Sequence, residues 1–163
     1  MNGLVIRPLA ATDRDAALQV INTAASWYRE FLPPEELHEP EMTPDQWDAE
    51  AQRMTWYGAF QDELLVGVMA MEYVRDVVLL RHGYVLPDYQ RQAVGTQLRE
   101  QLERSVRGAH RIVVGTYAGN YKARSLLEAA GYRLSPDSVA VLRAYYAIPE
   151  ERLVSSVTYE KTL

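Results

Sequence analysis

Cysteine is absent from this chain of 163 residues, and histidine occurs only three times. Without cysteine the chain has no disulfide bonds, no thiolate zinc site and no cysteine nucleophile. The histidines His38, His82 and His110 are dispersed, and no carboxylate pair has the spacing of metal ligands. The sequence therefore predicts no metal site.

Long apolar runs and a signal peptide are also missing. The longest apolar run, Leu64–Met71, is far shorter than a helix that crosses a bilayer. The first residues, Met1–Leu4, lack the basic and apolar regions of a secretory signal. We therefore expect a cytoplasmic protein with no membrane partner.

Several signatures of nucleotide and ester chemistry do not occur either. No Gly-Lys-Ser/Thr follows a glycine-rich loop, and both Gly-x-Gly-x-x-Gly and the nucleophile elbow Gly-x-Ser-x-Gly are absent. These absences argue against P-loop hydrolases, dinucleotide-binding domains and serine hydrolases. No basic stripe is interleaved with aromatic residues, so a nucleic-acid partner is not expected.

The composition is that of one globular domain. Hydrophobic residues make up 48% of the chain and charged residues 24%, and no repeat or linker divides it, so we expect a single domain over residues 1–163. The charge is unevenly distributed: residues 30–63 hold ten acidic and one basic residue, whereas residues 81–124 hold eight basic and three acidic ones. Either both stretches are solvated faces, or the basic one attracts an anionic ligand and the acidic one a cationic substrate.

The order of predicted elements indicates a mixed α/β fold. Apolar periodicity predicts strands over residues 4–6, 56–61, 64–73, 77–86, 111–116, 132–134 and 153–159. It predicts helices over residues 16–25, 44–55, 94–106, 120–130 and 137–146, with an irregular proline-rich loop over 28–44. Thr12-Asp13-Arg14-Asp15 is typical of a capping box, and Thr43-Pro44-Asp45-Gln46 of a capped helix start.

The segment after the third strand of the meander has the chemistry of a phosphate site. Val85 and Leu86 end an apolar strand, a short polar loop follows, and a helix opens near Val94. Backbone N–H groups without partners, at the positive end of a helix, bind phosphate or pyrophosphate. Arg91 adds a positive charge, and Gly95 lets a ligand approach the backbone closely. The sequence therefore predicts a cofactor that carries phosphate.

Two motifs resemble those of the GNAT acetyltransferases. Residues 85–96, Val-Leu-Pro-Asp-Tyr-Gln-Arg-Gln-Ala-Val-Gly-Thr, resemble the family's cofactor motif, Gln/Arg-x-x-Gly-x-Gly/Ala. Residues 120–132, Asn-Tyr-Lys-Ala-Arg-Ser-Leu-Leu-Glu-Ala-Ala-Gly-Tyr, resemble its second motif, Asn-x-x-Ala-x-x-Leu-Tyr-x-x-x-Gly-Phe. The two motifs stand in the family's order, separated by a helix and a strand, and the resemblance covers nearly the whole chain.

The resemblance implies a fold, a reaction and a set of cofactor-binding residues. The implied fold is a central, mostly antiparallel sheet with a splayed parallel strand pair and flanking helices. The implied reaction is transfer of an acetyl group from acetyl-CoA to the primary amine of a small molecule or peptide, by direct attack in a ternary complex. Val85 and Leu86 are implied to pair with the pantetheine arm, and Asn120 to hydrogen-bond to it. The residues implied to surround the pyrophosphate are Gln90, Arg91, Gln92, Ala93, Val94, Gly95 and Thr96.

Two residues depart from the family pattern. Ala93 stands at the first glycine of the motif, where a positive φ would cost roughly 1 kcal/mol, whereas a helix-like first turn would accommodate alanine. Leu127 stands where the family often has a tyrosine that protonates the departing thiolate, and leucine cannot donate a proton. Either Tyr117, Tyr121, Tyr145 or water replaces that tyrosine, or the step proceeds without a dedicated acid.

Two residues of the meander are candidates for the catalytic base that takes a proton from the acceptor ammonium. His82, on the strand leading to the cofactor loop, is the first candidate, and Glu72, on the adjacent strand, is the second. Each residue also has a purely structural interpretation. His82 is then a histidine whose hydrogen bonds are satisfied on a sheet face, and Glu72 is a solvated glutamate. Backbone N–H groups near Val85 are expected to polarise the thioester carbonyl.

The proline-rich loop, which carries His38 and Glu39, is expected to cover the acceptor side of the site. Together with Trp27, Tyr28 and Trp47 it forms an aromatic, acidic cleft for an amine, unless these rings pack the loop onto the core. 

Two other functions stay open at this point. One is a catalytically silent acyl-CoA-binding sensor or interaction module of the same fold, which Ala93 and Leu127 favour. The other is transfer to a hydroxyl. A homodimer formed through the predicted last strand, residues 153–159, and the predicted helix over residues 137–146 also stays open.

Overall fold

The computed structural model describes residues 3–163 as a mixed α/β fold. The strands are β1 (Leu4–Pro8), β2 (Thr55–Gln61), β3 (Leu64–Val74), β4 (Val77–Val85), β5 (Arg111–Tyr117), β6 (Arg133–Leu134) and β7 (Ser156–Thr162). The α-helices are α1 (Arg14–Ala24), α2 (Pro44–Glu50), α3 (Val94–Ser105), α4 (Tyr121–Ala129) and α5 (Ser138–Tyr145). None of these helices is long and apolar enough to span a bilayer.

Hydrogen bonds join the seven strands in the order β1-β2-β3-β4-β5-β7-β6. The sheet is mostly antiparallel, and its parallel pair is β4 with β5, which are in register over Val77–Leu80 and Arg111–Val114. The predicted fold class, a mostly antiparallel mixed sheet with a parallel strand pair and flanking helices, is confirmed.

The chain divides into two compact units. The first comprises the residues up to Glu72 together with Arg81–Arg107, and the second comprises Tyr73–Leu80 together with Gly108–Leu163. The single domain expected from the composition stays a prediction.

In the first unit, the sheet is covered by α1 and α2 on one face and by α3 on the other. Val68 and Ala70 of β3 pack in the cluster formed by α1 and α2, whereas Val66 packs with Val94 and Leu98 of α3. Residues two apart in a strand normally share a face, but the β2–β3 register shifts between Ala59 and Phe60, beside Val66, and this bulge turns Val66 to the other face. Strand β3 is a nearly continuous apolar run because both of its faces are buried.

The two predicted helix starts have different outcomes. The start at Thr43 is confirmed: its Oγ1 accepts from the Gln46 N–H at 3.2 Å, and the Gln46 side chain accepts from the Thr43 N–H at 2.7 Å. The capping box at residues 12–15 is wrong, because Thr12 lies in a 3₁₀ turn over Ala11–Asp13 and α1 begins only at Arg14, with Asp13 at the N-cap and no side-chain cap bond. Thus α1 begins without a side-chain cap.

Two predicted element bounds are also corrected. Helix α2 ends at Glu50 and not near residue 55, because a turn intervenes before β2 and buries Met54. Strand β7 begins at Ser156 and not at Leu153, which instead closes a short 3₁₀ turn.

In the second unit, β5 lies between the first half of β4 and β7. Val77, Leu79 and Val113 form a buried cluster against which α5 packs Val141 and Tyr145. Strand β5 pairs with β7 over its whole length, from Arg111 to Tyr117.

Candidate active site

The loop after β4 begins with main-chain groups that already make hydrogen bonds within the protein. The Leu86 N–H donates to the Val66 carbonyl at 2.9 Å, and the Leu86 carbonyl accepts from the Tyr89 N–H at 2.9 Å. The Gln90 side chain donates to the Val85 carbonyl at 3.0 Å. A carbonyl oxygen has two lone pairs, so Val85 and Leu86 keep acceptor capacity, whereas the Leu86 N–H is used within the sheet.

Ala93 joins this loop to α3 in a left-handed conformation. Its φ is 60° and its ψ is 23°, so the helix-like first turn that would suit alanine is not formed at this position. A non-glycine residue in this region costs roughly 1–2 kcal/mol. The glycine that the motif usually has at this position would avoid that cost. The departure from the motif at Ala93 therefore strains the backbone.

The first turn of α3 offers backbone N–H groups to a ligand. The first helical bond is made by the Gln97 N–H to the Ala93 carbonyl at 3.0 Å, so the N–H groups of Val94, Gly95 and Thr96 precede the helical ladder. Ala93 makes no side-chain cap bond, and the first turn holds no acidic residue.

Two further features of this turn suit an anion. A Cβ built at Gly95 would lie in ordinary van der Waals contact with Cγ2 of Val85, at 3.6 Å, so the glycine leaves that space to a ligand that approaches the backbone. Arg91 is exposed and has no ion-pair partner among residues 3–163. The turn from Arg91 to Thr96 therefore fits the diphosphate of coenzyme A by charge and by available donors.

Asn120 caps α4 in the second unit. Its Oδ1 accepts from the Ala123 N–H and its Nδ2 donates to Oγ1 of Thr116, both at 3.3 Å, and the residue is buried. Both ends of the side-chain amide thus already have a structural role.

Strand β4 contains a local irregularity at His82, whose φ is 54°. Consecutive strand residues normally point to opposite faces, yet Arg81 contacts Glu72 and His82 contacts Glu50 of α2, on the same face as Ala70. A left-handed residue that places two neighbours on one face is the geometry of a β-bulge. The strain of roughly 1–2 kcal/mol at such a residue persists where the surroundings fix the conformation.

His82 lies in a stack of rings beside a buried carboxylate. Its imidazole stacks on Trp56 with centroids 5.2 Å apart, and Trp56 stacks on Trp47 at 4.2 Å. Its Nε2 lies 2.5 Å from Oε1 of Glu50. Burial raises the pKa of Glu50, but the hydrogen bond and charge of His82, with the charges of Arg81 and Arg53, outweigh burial and hold this pKa below its usual value.

Glu72, the second candidate base, is bound by two arginines. Arg53 Nε lies 3.1 Å from one carboxylate oxygen, and Arg81 Nη1 lies 3.1 Å from the other. Because each oxygen already accepts a charge-assisted hydrogen bond, Glu72 is a poor proton acceptor for a substrate.

The proline-rich loop forms part of a small cavity of about 140 Å³. Tyr28, Arg29, His38, Glu39 and Glu41 line it. Arg29 pairs with Glu39.

This loop is anchored at both ends of the cavity. Asn22 of α1 exchanges two hydrogen bonds with the main chain of Met42. The Tyr28 hydroxyl donates to that of Tyr84 of β4 at 3.0 Å, and the Tyr84 hydroxyl lies 3.5 Å from Oε2 of Glu41. Of the predicted cleft residues, His38, Glu39 and Tyr28 come together, whereas Trp47 belongs to the core with only 3% of its surface exposed.

The tyrosines considered as proton donors have separate surroundings. The Tyr145 hydroxyl accepts from Arg111 at 2.9 Å, and its ring lies under Arg75 and Arg111. Tyr121 opens α4 and is 63% exposed, while Leu127 of the same helix is buried. Among residues 3–163, no group of three or more His, Asp or Glu side chains is arranged to hold a metal ion.

Sequence reasoning missed three residues of this region: Glu50, Tyr84 and Glu41. Glu50 ends a helix far from His82 in the sequence, and only the packing of Trp47 three residues earlier indicates that its face is buried. Tyr84 follows the β-bulge at His82, and no local sequence pattern predicts that bulge.

The sequence matches a family of known proteins. The family model described as "Acetyltransferase (GNAT) family" matches residues 21–132. No curated protein matches the sequence significantly.

Solved structures with the same fold are numerous. An acetyltransferase from Streptococcus agalactiae 2603 is 20% identical, with all of both chains covered and a TM-score of 0.78. The PaiA N-acetyltransferase from Thermoplasma acidophilum, solved in complex with coenzyme A, is 18% identical, with 98% of this chain and 99% of that chain covered and a TM-score of 0.74. The ribosomal-protein-S18-alanine N-acetyltransferase from Escherichia coli is 20% identical, with 98% and 93% covered and a TM-score of 0.71.

The family model covers well over half of the chain, and its match includes the cofactor loop and the whole of α4. The resemblance carried by the two motifs is thereby confirmed. The chain belongs to the GNAT family of acetyltransferases, whose acetyl donor is acetyl-CoA.

Proposed function

We propose that this chain transfers the acetyl group of acetyl-CoA to the primary amine of a small molecule or peptide, by direct attack in a ternary complex. The observation that carries the proposal is the start of α3, where three backbone N–H groups, a left-handed Ala93 and an unpaired Arg91 form an anion-binding turn. Acetyl-CoA supplies an activated thioester carbonyl when it is bound.

The cofactor-binding roles follow from the groups that are available. Gln90, Arg91, Gln92, Ala93, Val94, Gly95 and Thr96 bind the diphosphate, chiefly through the N–H groups of the first turn of α3. Val85 and Leu86 offer carbonyl oxygens to the pantetheine arm. Asn120 is a further proposed cofactor-binding residue, through its side-chain amide.

The acceptor enters through the acidic side of the first unit. The cavity beside Tyr28 and Glu41 has the volume of roughly four to five water molecules at about 30 Å³ each, which suits an amine head group. Glu39 and Glu41 favour a cationic ligand, and Tyr84 connects the cavity to β4.

The base is His82. Glu72 is occupied by Arg53 and Arg81, whereas the His82 imidazole has one polar partner, Glu50, through one of its two nitrogens. A general base of this kind accelerates proton removal by about 10²- to 10⁴-fold.

The test is incubation of the purified protein with acetyl-CoA and a panel of amines, alcohols and amino-terminal peptides. Thiol release and mass spectrometry of the product are measured together. Release that depends on an amine, with an amide as product, supports the proposal. Ester products would assign the chain to hydroxyl transfer.

A second candidate is the catalytically silent acyl-CoA-binding module. The strained Ala93 and the buried Leu127 favour it, since one weakens the cofactor turn and the other removes the usual acid. Saturable acetyl-CoA binding without thiol release across the whole panel would select this candidate.

A further inference from the structure

We propose that Glu50 is the positioning residue of His82, holding its imidazole with the proton on Nε2 so that Nδ1 is free to accept the proton of the acceptor ammonium. This inference rests on the proposed acetyl transfer to an amine, and it adds a residue that neither motif contains.

The contact itself is a close approach of an imidazole nitrogen to a carboxylate oxygen, and neither atom has another polar partner among the described residues. Nε2 of His82 and Oε1 of Glu50 are 2.5 Å apart, and both atoms are buried. Within residues 3–163, Nδ1 of His82 has no hydrogen-bond partner. A carboxylate placed against one imidazole nitrogen favours the proton on that nitrogen, which leaves the other nitrogen as the base.

Two elements hold this pair in place. Trp47 and Glu50 are three residues apart on α2 and so lie on the same helix face. Trp47 stacks on Trp56, and Trp56 stacks on the imidazole of His82 with 14° between the ring planes. The stack fixes the plane of the imidazole, and Glu50 fixes its rotation within that plane.

The backbone at His82 shows that this placement is imposed by its surroundings. A left-handed residue within a strand is strained, and it turns His82 towards α2 beside Arg81. Strained residues of this kind cluster at functional sites. The indole Nε1 of Trp56 is buried with no acceptor among the described residues, so the stack is kept at the expense of a hydrogen bond.

The charged groups that face the pair are Glu50 itself, Arg81, Arg53 and Glu72. The two arginines are neutralised in part by Glu72, and they keep Glu50 ionised. An ionised Glu50 stabilises the imidazolium that forms when His82 accepts a proton.

R–NH₃⁺ gives one proton to Nδ1, and the freed amine nitrogen forms an N–C bond to the acetyl carbonyl carbon while the C–S bond breaks. The second amine proton passes to the departing thiolate, and the proton on Nδ1 returns to solvent. The products are the acetamide, coenzyme A thiol and one proton.

The first measurement does not depend on activity. Nitrogen-15 NMR of histidine-labelled protein without ligand reports which imidazole nitrogen is protonated, and the His82 signals are those that His82→Asn removes. We expect a bare Nδ1 and a protonated Nε2 in the wild type, and a mixture of tautomers in Glu50→Ala. A protonated Nδ1 in the wild type, or an unchanged tautomer in Glu50→Ala, would overturn the proposal.

The second measurement is the pH profile of kcat/KM. In Glu50→Gln the acid limb is expected to move to lower pH, because a neutral amide no longer stabilises the protonated imidazole, and kcat is expected to fall about tenfold or more. Asp48→Asn is the matched control, since Asp48 lies on the same helix and pairs with Arg14. It should leave both the profile and kcat unchanged.

The outcomes separate this proposal from the proposed function. An active wild type whose acid limb is the same in Glu50→Gln leaves the acetyl transfer standing and removes Glu50 from it. A wild type that acetylates no amine overturns the function and the positioning role together, whatever the NMR tautomer. Thermal unfolding of each variant shows whether lost activity reflects lost folding.

Discussion

The imidazole of His82 lies almost parallel to the indole of Trp56, although the two residues belong to strands separated by β3. The residue opposite Trp56 in the β2–β3 register is Ala70, which is completely buried. Its methyl group is small enough for the indole to extend over β3 towards β4. A larger side chain at position 70 would occupy the space that the stack requires.

Ala70→Val is therefore expected to disturb both folding and catalysis. Overpacking a core position costs about 1–3 kcal/mol of unfolding free energy. The same change at Ala59, which is equally buried but packs towards α3, is the control. Denaturant unfolding should give similar losses for the two variants, while acetyl transfer should fall further in Ala70→Val. Equal activity in the two variants would contradict the importance of the stack.

Ala93→Gly is expected to stabilise the protein. Glycine removes the left-handed penalty but adds freedom to the unfolded chain, so the net gain is up to about 1 kcal/mol. Ala129→Gly, at the exposed last residue of α4, should instead lose up to about 1 kcal/mol. Denaturant midpoints measure both. A loss in both variants would show that Ala93 is not strained.

The sequence predicted the elements well where apolar periodicity and turn residues agree, as in β2, β3 and α3. It also predicted the loop between β4 and a helix that begins at Val94, because the loop residues and Gly95 are local in the sequence. It did not predict the bulge at His82, which depends on contacts with α2, or the pairing of that residue with Glu50. The sequence left open whether Ala93 has a positive φ or lies in a helix-like first turn. The φ of one residue is decided by the packing of the chain on both sides of it.

Glu41→Gln is expected to weaken binding of a cationic acceptor. Loss of one partly exposed charge should raise KM by roughly fivefold at low salt, and the effect should shrink as salt screens it. Glu35→Gln lies in the same loop, outside the cavity, and serves as the control. An unchanged KM in Glu41→Gln would place the acceptor elsewhere.

Glu160 is expected to make stability depend on acidic pH. Burial raises the pKa of Glu160, but hydrogen bonds from Ser135 and Arg111 and the charge of Arg111 hold it below the ordinary value of 4.5. The contribution of Glu160 to the unfolding free energy is therefore fully present above pH 4.5. It is lost as the pH falls through the lowered pKa that Glu160 has in the folded protein.

In Glu160→Gln, the fall in unfolding free energy between about pH 5 and about pH 2 should be shallower than in the wild type. Glu151→Gln, an exposed carboxylate in a 3₁₀ turn, should keep the wild-type slope. Identical slopes in all three proteins would show that Glu160 has no special role in acid stability.

Calorimetric titration of acetyl-CoA into the wild type, Arg91→Glu and Arg104→Glu tests whether the first turn of α3 binds the cofactor. Arg104 lies at the opposite end of α3, so its variant has the same net charge without altering the anion-binding turn. We expect saturable binding in the wild type and in Arg104→Glu, and binding weakened about tenfold or more in Arg91→Glu. No binding in the wild type, or equal weakening in both variants, would contradict the assignment of this turn to the cofactor.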